Sequence, residues 1–474
     1  MKSNSKNNLS IQELRLENFK IFKKATCSFN KITLLTGANS SGKTSVLNAL
    51  ACIFQSKDGG YPFSFLANGN YVQLGGFRDI FCSNADKNNQ TFGIGITFRN
   101  YKDSSNINID VSYRYAPKNF QILTDRILLK DNYNKIEIKW NGQDFGYTYK
   151  REVENKEAKI QKDIANKAIL AIMDSLQNLN QEKPRALSNK NDVFNLIKEE
   201  INTMDDQINK EINIGKTQDE LISFFRSNLS FQLGSKPILN EFDDLKRQVF
   251  YSGPIRPRPS RQYNLIENID YYDCGGSNSV QILSKWKSNN SRSFLKIKEN
   301  LQSLGLATDI DLNFIQDDLA EVKIKRFKNS KSVNISDMGF GISQTLPVLV
   351  GVEFAKNNST ILINQPEVHL HPSSQANLAN YFVKEQQENN KKFIIETHSE
   401  YLINRFRNLI AKRSFSEGDI SIIYFDSNEN GESIHNISID KHGRLINAPE
   451  SFFETYFIDN RELIMASFQG EDDE

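Results

Sequence analysis

The residue pattern with the clearest chemical meaning is a glycine-rich segment near the amino terminus. It is a full match to GxxxxGK[ST] and reads Gly37-Ala38-Asn39-Ser40-Ser41-Gly42-Lys43-Thr44. The glycines let backbone N–H groups curve around phosphate oxygens, Lys43 reaches the outer phosphates, and the Thr44 hydroxyl binds Mg²⁺. The pattern therefore predicts a site for ATP and Mg²⁺ formed by these residues and the adjoining Ser45.

The stretches on either side of this segment meet its structural requirement. The preceding run KITLLTG is apolar and ends in glycine, which predicts a buried strand. Apolar residues then recur at helical spacing, at Val46, Leu47, Leu50, Ile53 and Phe54. We therefore expect a strand, a phosphate-binding loop and a helix amino terminus in that order.

Polar residues follow two apolar runs late in the chain. The run 360–363 leads into Asn-Gln-Pro-Glu at 364–367, and the run 393–395 leads into a segment that contains His398. In phosphoryl-transfer enzymes, strand ends beside the phosphate loop carry Mg²⁺ ligands and water-activating groups. The residues alone leave an ordinary strand end and a structural histidine open as alternatives.

A further glycine-containing segment precedes the helical stretch TLPVLVGVEF. It is DMGFGISQ, residues 337–344, so Gly341, Ser343 and Gln344 lie at a helix amino terminus. This is a second position that could bind phosphate. One chain thus has two helix amino-terminal phosphate sites but a single GxxxxGK[ST] loop.

The order and sequence of these motifs resemble the ABC-type ATPases related to SMC and RecF proteins. More narrowly, QPEVHLHP, ETHSEYLINRFR and GFGISQTLPVL resemble the OLD-like ATPases of bacterial antiphage systems, first the Septu ATPase and then PARIS-type and retron-associated ATPases. The resemblance runs from Leu14 to about Arg407. It implies an α/β fold, an ABC/SMC-type P-loop ATPase head with mixed and antiparallel sheets plus a helical insertion.

The resemblance also assigns roles to individual residues. It makes residues 37–44 the Walker A loop, Gly341 and Ser343 the signature glycine and serine, and His398 the switch histidine that senses the γ-phosphate. In this family the Walker A loop of one subunit faces the signature of another. The resemblance therefore implies a homodimer with ATP between its subunits, and a higher homo-oligomer built from such dimers.

The Walker B strand departs from the family pattern. Where the family has Asp-Glu-Pro, this chain has amides at Asn364 and Gln365. An amide cannot act as a general base, and Asn is a poorer ligand than carboxylate for a hard cation. Glu367 is the candidate substitute carboxylate, displaced by about 6–7 Å along the same strand face. We therefore expect tight ATP binding and slow hydrolysis.

Three residues are candidate Mg²⁺ ligands. They are Thr44 from the loop, Asn364 from the Walker B position, and Gln73 in GNYVQLGGF as the family's Q-loop residue. The paired His369 and His371 suggest a second metal site, but no third ligand is evident. The resemblance places His371 in the dimer-contacting D-loop instead.

The proline-rich segment YSGPIRPRPSRQY carries Arg256, Arg258 and Arg261. Arginines in such a loop clamp phosphate or nucleic acid, or else form a solvated basic loop. The sequence leaves both readings open.

Composition narrows the class of protein. The chain has 59 Lys and Arg against 58 Asp and Glu, so its net charge of +1 creates no overall attraction to nucleic acid or anionic membranes. The first residues lack the apolar core of a signal peptide, and no stretch approaches the roughly 18 apolar residues of a spanning helix. We expect a cytosolic protein without membrane contact. The four cysteines lack the spacing of a disulfide framework or zinc ribbon.

Changes in residue usage divide the chain into four predicted segments. Residues 1–149 form the amino-terminal part of the ATPase head, with an antiparallel sheet from about residue 71. Residues 150–246 are rich in Lys, Glu, Gln and Asn with spaced Ile, Leu and Met, which predicts a helical insertion or arm. Residues 247–446 form the carboxy-terminal part of the head, and residues 447–474 a fraying tail.

The functional expectation rests on the resemblance. Some OLD-like proteins carry a Toprim nuclease after the ATPase, but the chain after His398 contains no cluster of acidic metal ligands. We therefore expect a nucleotide-gated sensor and scaffold in antiphage defence that controls a separate HNH or Toprim nuclease in trans.

Two other functions are alternatives to the sensor and scaffold. A RecF-like ATP-dependent DNA-binding repair protein would need a local basic groove, which the balanced charge neither indicates nor excludes. The ATPase subunit of a transporter is disfavoured by the amino-terminal sheet insertion, the HLHP ending and the absence of the LSGGQ form.

Overall fold

Among the described residues the strands form four sheets, of eight, seven, four and two strands, and the chain divides into two compact units. The computed structural model describes residues 9–55, 62–86, 90–100, 106–116, 121–131, 134–143, 145–151, 212–215, 232–233, 236–237, 248–265, 269–428, 431–449, 452 and 462. The first unit comprises Met1–Thr26 and Cys52–Arg247, and the second comprises Cys27–Ala51 and Gln248–Glu474.

The strands, in chain order, are β1 Leu9–Phe19, β2 Phe22–Ser28, β3 Ile32–Gly37, β4 Thr91–Asn100, β5 Asn106–Ala116, β6 Gln121–Lys130, β7 Asn134–Trp140, β8 Phe145–Arg151, β9 Ile212–Gly215, β10 Gln232–Leu233, β11 Lys236–Pro237, β12 Val249–Ser252, β13 Tyr263–Asn264, β14 Asp309–Gln316, β15 Leu319–Lys325, β16 Val333–Asn334, β17 Thr360–Asn364, β18 Lys392–Glu396, β19 Ile420–Asn428, β20 Gly431–Ile439 and β21 Leu445–Ile446.

Within the described ranges the helices are α1 Lys43–Gln55, α2 Phe77–Ile80, α3 Ser279–Ser288, α4 Arg292–Ser303, α5 Phe340–Phe354, α6 Pro372–Asn389 and α7 Glu400–Ala411. Short 3₁₀ turns cover Ile335–Asp337 and Glu417–Asp419. In the ranges that the structure describes, every helix is too short or too polar to cross a lipid bilayer.

The first unit contains an antiparallel sheet, which within the described ranges has the strand order β2-β1-β4-β5-β6-β7-β8-β9. From β1 to β9 each neighbouring pair is antiparallel. Its strands alternate buried and partly exposed residues, because successive side chains point to opposite faces. On the buried face the rings of Phe65, Phe92 and Tyr113 pack with centroids 5.2–5.3 Å apart. The predicted antiparallel sheet is confirmed.

The predicted helical insertion, residues 150–246, lies outside the described residues except for the end of β8 and the short strands β9, β10 and β11. The predicted tail, residues 447–474, also lies outside them apart from 447–449, 452 and 462.

The second unit is built on a mixed sheet whose described strands run in the order β12-β17-β18-β3-β19-β20-β21. The five strands from β12 to β19 are parallel, and β20 and β21 return antiparallel. Strand β17 is buried at every position, since helices cover both faces of such a sheet and select continuous apolar runs. The runs predicted as buried parallel strands are β17, β18 and β19, and the α/β class with mixed and antiparallel sheets is confirmed.

Register brings three chain segments to one edge of this sheet. Asn364, the last residue of β17, pairs with Glu396, the last residue of β18, and Glu396 pairs in turn with Leu35 of β3. Strand β3 then ends at Gly37. The carboxyl ends of parallel strands in α/β sheets are where ligands bind.

A buried ion pair ties the opposite end of β18 to two helices. The Lys391 ammonium, just before the strand, lies 2.8 Å from the Glu385 carboxylate on α6 and donates to the Val352 carbonyl on α5 at 2.7 Å. Both charged side chains are at most 3% exposed. Removing one partner of a buried pair leaves an uncompensated charge, whereas replacing both by apolar residues is often nearly neutral.

We therefore expect Lys391→Met to lower the free energy of unfolding of the second unit by about 3–5 kcal/mol. The double variant Lys391→Met, Glu385→Leu should recover most of that loss. Urea unfolding would be followed by fluorescence of Trp286, which packs on the core of this unit, in a Trp140→Phe background. Lys285→Met removes an exposed pair with Asp270 and should change stability by less than about 1 kcal/mol. Equal losses for the single and the double variant would contradict the prediction.

Candidate nucleotide site

The loop between β3 and α1 has a backbone that only particular residues can adopt. Gly37 has φ +138° and Gly42 has φ +100°, a region that side chains disfavour. At Gly37 an added Cβ would lie 2.0 Å from the carbonyl oxygen of Phe425 on β19. Ser40 is left-handed at φ 61°, and the Ser41 hydroxyl donates to the Ala38 carbonyl at 2.7 Å. The sequence thus forces the loop to curve just before α1 begins at Lys43.

Lys43 places its ammonium inside this curve. The side chain is buried, and its Nζ donates to the carbonyl of Gly37 at 3.0 Å and to that of Ala38. Burial lowers the pKa of Lys43, and the nearby Glu396 carboxylate opposes that shift. A cation is therefore held at the loop where GxxxxGK[ST] motifs bind the outer phosphates.

Glu396 supplies a carboxylate beside the loop. Its Oε1 accepts the Thr44 hydroxyl at 2.8 Å, and its Oε2 accepts the Asn364 amide at 2.9 Å. Burial raises the pKa of Glu396, and the Thr44 hydrogen bond and the Lys43 charge lower it. The acid that contacts the loop comes from the end of β18 and is not among the predicted site residues.

A cavity of about 210 Å³ lies at this edge of the sheet. It is lined by Asn39, Ser40, Gly42, Lys43, Thr44, Ser45, Gln365, Glu396 and His398. The structure thus brings most of the predicted Walker A residues together with Gln365 and His398. The cationic, hydroxyl and carboxylate groups converge on one small polar space.

His398 lines the cavity with an exposed side chain. Partial desolvation and the Lys43 charge both lower the pKa of its imidazole. The ring is therefore mainly neutral at pH 7, with one nitrogen that donates and one that accepts a hydrogen bond. Ser399, the next residue, caps α7 by accepting the Leu402 N–H, which fixes where the histidine loop ends.

Glu367, predicted as the substitute carboxylate, is not among the residues that line the cavity. Its Oε1 accepts the Thr397 hydroxyl at 2.7 Å and the His398 backbone N–H at 2.8 Å. Burial raises its pKa. The Glu367 carboxylate therefore holds in place the loop that carries His398. The expected position of this carboxylate assumed that the strand continues past Gln365, and the observed position differs.

The Walker B strand ends in a turn. Gln365 has φ 42° and residues 366–369 form a turn, so the alternation of a strand stops at Asn364. The buried Arg256 guanidinium donates to the Asn364 carbonyl at 2.6 Å and to the Gln365 carbonyl at 3.4 Å. Arg256 thus fixes this turn. This contact is neither a clamp on phosphate or nucleic acid nor part of a solvated basic loop, the two alternatives that the sequence left open. Arg258 is exposed, and Arg261 pairs with Asp337 at the surface.

Comparison with known proteins decides the family. The family model described as AAA ATPase domain matches residues 10–403. The chain belongs to this AAA ATPase domain family. The ATPase assignment made from the P-loop and its flanking elements is thereby confirmed.

Solved structures similar to this AAA ATPase domain include SMC heads. The SMC head bound to the C-winged helix domain of ScpA is 13% identical, with 91% of this chain and 98% of that chain covered and a TM-score of 0.42. The head from Pyrococcus furiosus bound to the C-terminal domain of ScpA is 12% identical, with 91% and 96% covered and a TM-score of 0.40. The head from Thermotoga maritima is 10% identical, with 90% and 97% covered and a TM-score of 0.37. No curated protein matches the chain in sequence.

The predicted signature residues of this ATPase domain lie at the start of α5. Helix α5 begins at Phe340. Gly341 lies so close to the turn before α6 that an added Cβ would be 2.8 Å from the His369 carbonyl oxygen. The Ser343 hydroxyl donates to the Phe340 carbonyl at 2.9 Å, and the Gln344 amide donates to the Pro257 carbonyl at 3.3 Å. None of Gly341, Ser343 and Gln344 lines the cavity.

The paired histidines have structural contacts. The His369 ring packs against Phe340 with centroids 5.7 Å apart, and His371 caps α6 by accepting the Ser373 N–H. In the part of the chain that the structure describes, no group of three or more His, Cys, Asp or Glu could hold a metal ion.

Gln73, the predicted Q-loop residue, belongs to the first compact unit. Its side chain is exposed, and its backbone forms a bridge with Asn68. Its role as a Mg²⁺ ligand stays a prediction.

Gly37→Ala should destabilise the loop, because the added methyl would overlap the Phe425 carbonyl and strain the left-handed backbone. We expect a loss of about 1–3 kcal/mol in the free energy of unfolding and weaker nucleotide binding. Urea unfolding and titration with a fluorescent ADP would measure the two effects. Gly418→Ala is the matched control, since its added methyl meets only the Ser416 hydroxyl at 3.8 Å. An alanine at residue 37 with wild-type stability would refute the claimed close contact.

Proposed function

We propose that the chain binds Mg²⁺-ATP in the P-loop cavity and that two copies enclose the nucleotide. The observation that carries the proposal is the buried Lys43 ammonium in a strained glycine-rich loop, next to the Thr44 hydroxyl, in a chain of an ATPase family. Backbone N–H groups at the start of α1 add a favourable dipole for phosphate.

The enclosure by two copies is supported by the separation of the two phosphate-binding features. The start of α5 offers a helix amino terminus but is not part of the cavity lining in its own chain. Phe340 beside it is 53% exposed. A second copy that brings its α5 terminus to the cavity would complete the site, as the motif order of ABC/SMC-type heads suggests.

Slow hydrolysis is part of the proposal. Gln365 lines the cavity where the family has a glutamate, and an amide cannot take a proton from water. His398 contacts the same space and is proposed to sense the γ-phosphate. Turnover is then expected well below about 1 s⁻¹, the low end for phosphoryl-transfer kinases.

A mixing experiment tests the shared site. Lys43→Ala removes the cation that binds phosphate. Gln344→Glu adds a negative charge at the amino terminus of α5. The helix dipole tolerates an acid there, but the charge would repel the phosphates bound by a partner. Each variant alone should fail to dimerise with ATP, as measured by light scattering. Their mixture has one intact site per heterodimer and should regain ATP-dependent dimers with one nucleotide each. Failure of the mixture, or tight ATP binding by a wild-type monomer, would sink the proposal.

The cellular role is proposed from the motif resemblance alone. The chain acts in the cytoplasm as a nucleotide-gated sensor and scaffold in antiphage defence, in the manner of Septu-type ATPases. Its homo-oligomer holds a separate HNH or Toprim nuclease inactive in trans. No residue of the chain is proposed to cut nucleic acid.

Co-expression with a nuclease encoded beside the gene tests this role. We expect the two proteins to elute together in size-exclusion chromatography, and ATP to change the nuclease activity of the complex. Lys43→Ala, which should not form the ATP-dependent dimer, should remove the effect of ATP on the nuclease activity. Two separate peaks would count against the scaffold. DNA binding that rises with ATP and falls steeply with salt would favour the RecF-like alternative instead.

A further inference from the structure

The position of negative charge at the cavity is unusual for the motifs that surround it. The Walker B positions carry amides, and Asn364 is not among the residues that line the cavity. Glu396 is the acidic residue among those that do. A hard cation such as Mg²⁺ is usually bound through one or two carboxylates together with substrate phosphates.

The contacts of Glu396 join it to the expected Mg²⁺ ligand of the loop. Its Oε1 lies 2.8 Å from the Thr44 hydroxyl, which in P-loops binds Mg²⁺. Its Oε2 is held by the Asn364 amide at 2.9 Å, and the Gln365 backbone N–H donates to the Glu396 backbone carbonyl at 2.9 Å. The Asn364 amide of the altered Walker B strand therefore orients the carboxylate on the neighbouring strand.

The donor set fits a magnesium ion at this point. Thr44 and Glu396 offer oxygen ligands, the chemistry that Mg²⁺ prefers. The Asn364 Oδ1 is a buried acceptor without a hydrogen-bond partner, so a further oxygen is unused beside the same carboxylate. Bound there, Mg²⁺ would neutralise charge on the phosphates.

Sheet register explains how a carboxylate on β18 can replace a carboxylate on β17. Asn364 and Glu396 are direct partners on adjacent parallel strands, and such strands lie about 4.8 Å apart. A carboxylate at residue 396 therefore lies at the same height along the sheet as one at residue 364 would. The hydrogen bond between the two side chains would survive an exchange of acid and amide.

We propose that Glu396 is the Mg²⁺-binding carboxylate of the site and takes over, from the adjacent strand, the position that Asn364 leaves without charge. The inference rests on the proposed binding of Mg²⁺-ATP in this cavity. A merely structural Glu396 would anchor Thr44 and Asn364 without affecting the metal.

The experiment compares nucleotide affinity with and without the metal. Isothermal titration with ADP, in EDTA and in Mg²⁺, gives the factor by which Mg²⁺ raises affinity, and Mn²⁺ resonance spectra report the metal itself. Glu396→Gln should lower this factor by about tenfold or more and leave affinity in EDTA unchanged or higher. The exchange Asn364→Asp, Glu396→Gln should restore most of the factor and the Mn²⁺ signal.

Asp419→Asn is the matched control. It removes one carboxylate from the opposite edge of the same sheet, where Asp419 pairs with Lys31. The affinity for ADP should be unchanged both in EDTA and in Mg²⁺. A normal Mg²⁺ factor in Glu396→Gln would overturn the inference. So would equal losses in EDTA and Mg²⁺ that the exchange does not repair, since these indicate a structural role.

The outcomes also separate this inference from the proposed function. If Lys43→Ala abolishes ADP binding while Glu396→Gln keeps the full Mg²⁺ factor, the nucleotide site stands and the role of Glu396 falls. If the wild-type chain binds no nucleotide, the proposed function falls and this inference falls with it.

Discussion

The hydrogen bonds of Glu396 to Thr44 and Asn364 join the ends of three neighbouring segments of one sheet. Thr44 lies in the first turn of the helix that follows β3, Asn364 ends β17, and Glu396 ends β18. Because the carboxylate and the Lys43 ammonium are both buried, each offsets part of the desolvation cost of the other. The loop, the Walker B turn and the histidine loop are therefore positioned together, and a change in one strand end alters all three.

The rest of the second unit restrains these strand ends. Arg256 holds the carbonyls of residues 364 and 365, and Glu367 holds the backbone of His398. At the other end of β18, the Lys391 and Glu385 pair links the strand to α5 and α6. A polar site at the edge of an apolar sheet thus depends on several buried charges, each of which has hydrogen-bond partners.

Local patterns in the sequence predicted much of this arrangement, and non-local contacts account for what they missed. The P-loop follows from its own residues, and β17, β18 and β19 from continuous apolar runs. The substitute role of Glu367 assumed a strand that continues past Gln365, but the turn at that residue ends the alternation. Glu396 could be found only from register, because nothing in the chain places residue 396 opposite residue 364. Its one local signal is an acid at the last position of a buried strand.

Contacts around α5 link the start of this helix to the turn that follows Gln365. Gly341 packs against the His369 carbonyl, and Phe340 packs against the His369 ring, so the start of α5 and the turn before α6 form one surface. That turn follows directly from Gln365, which lines the cavity. A partner that contacts this surface therefore presses on the segment that also carries the end of the Walker B strand. In the proposed dimer, a few residues of one turn would separate the nucleotide from the interface, which would give a short physical route between ATP occupancy and assembly.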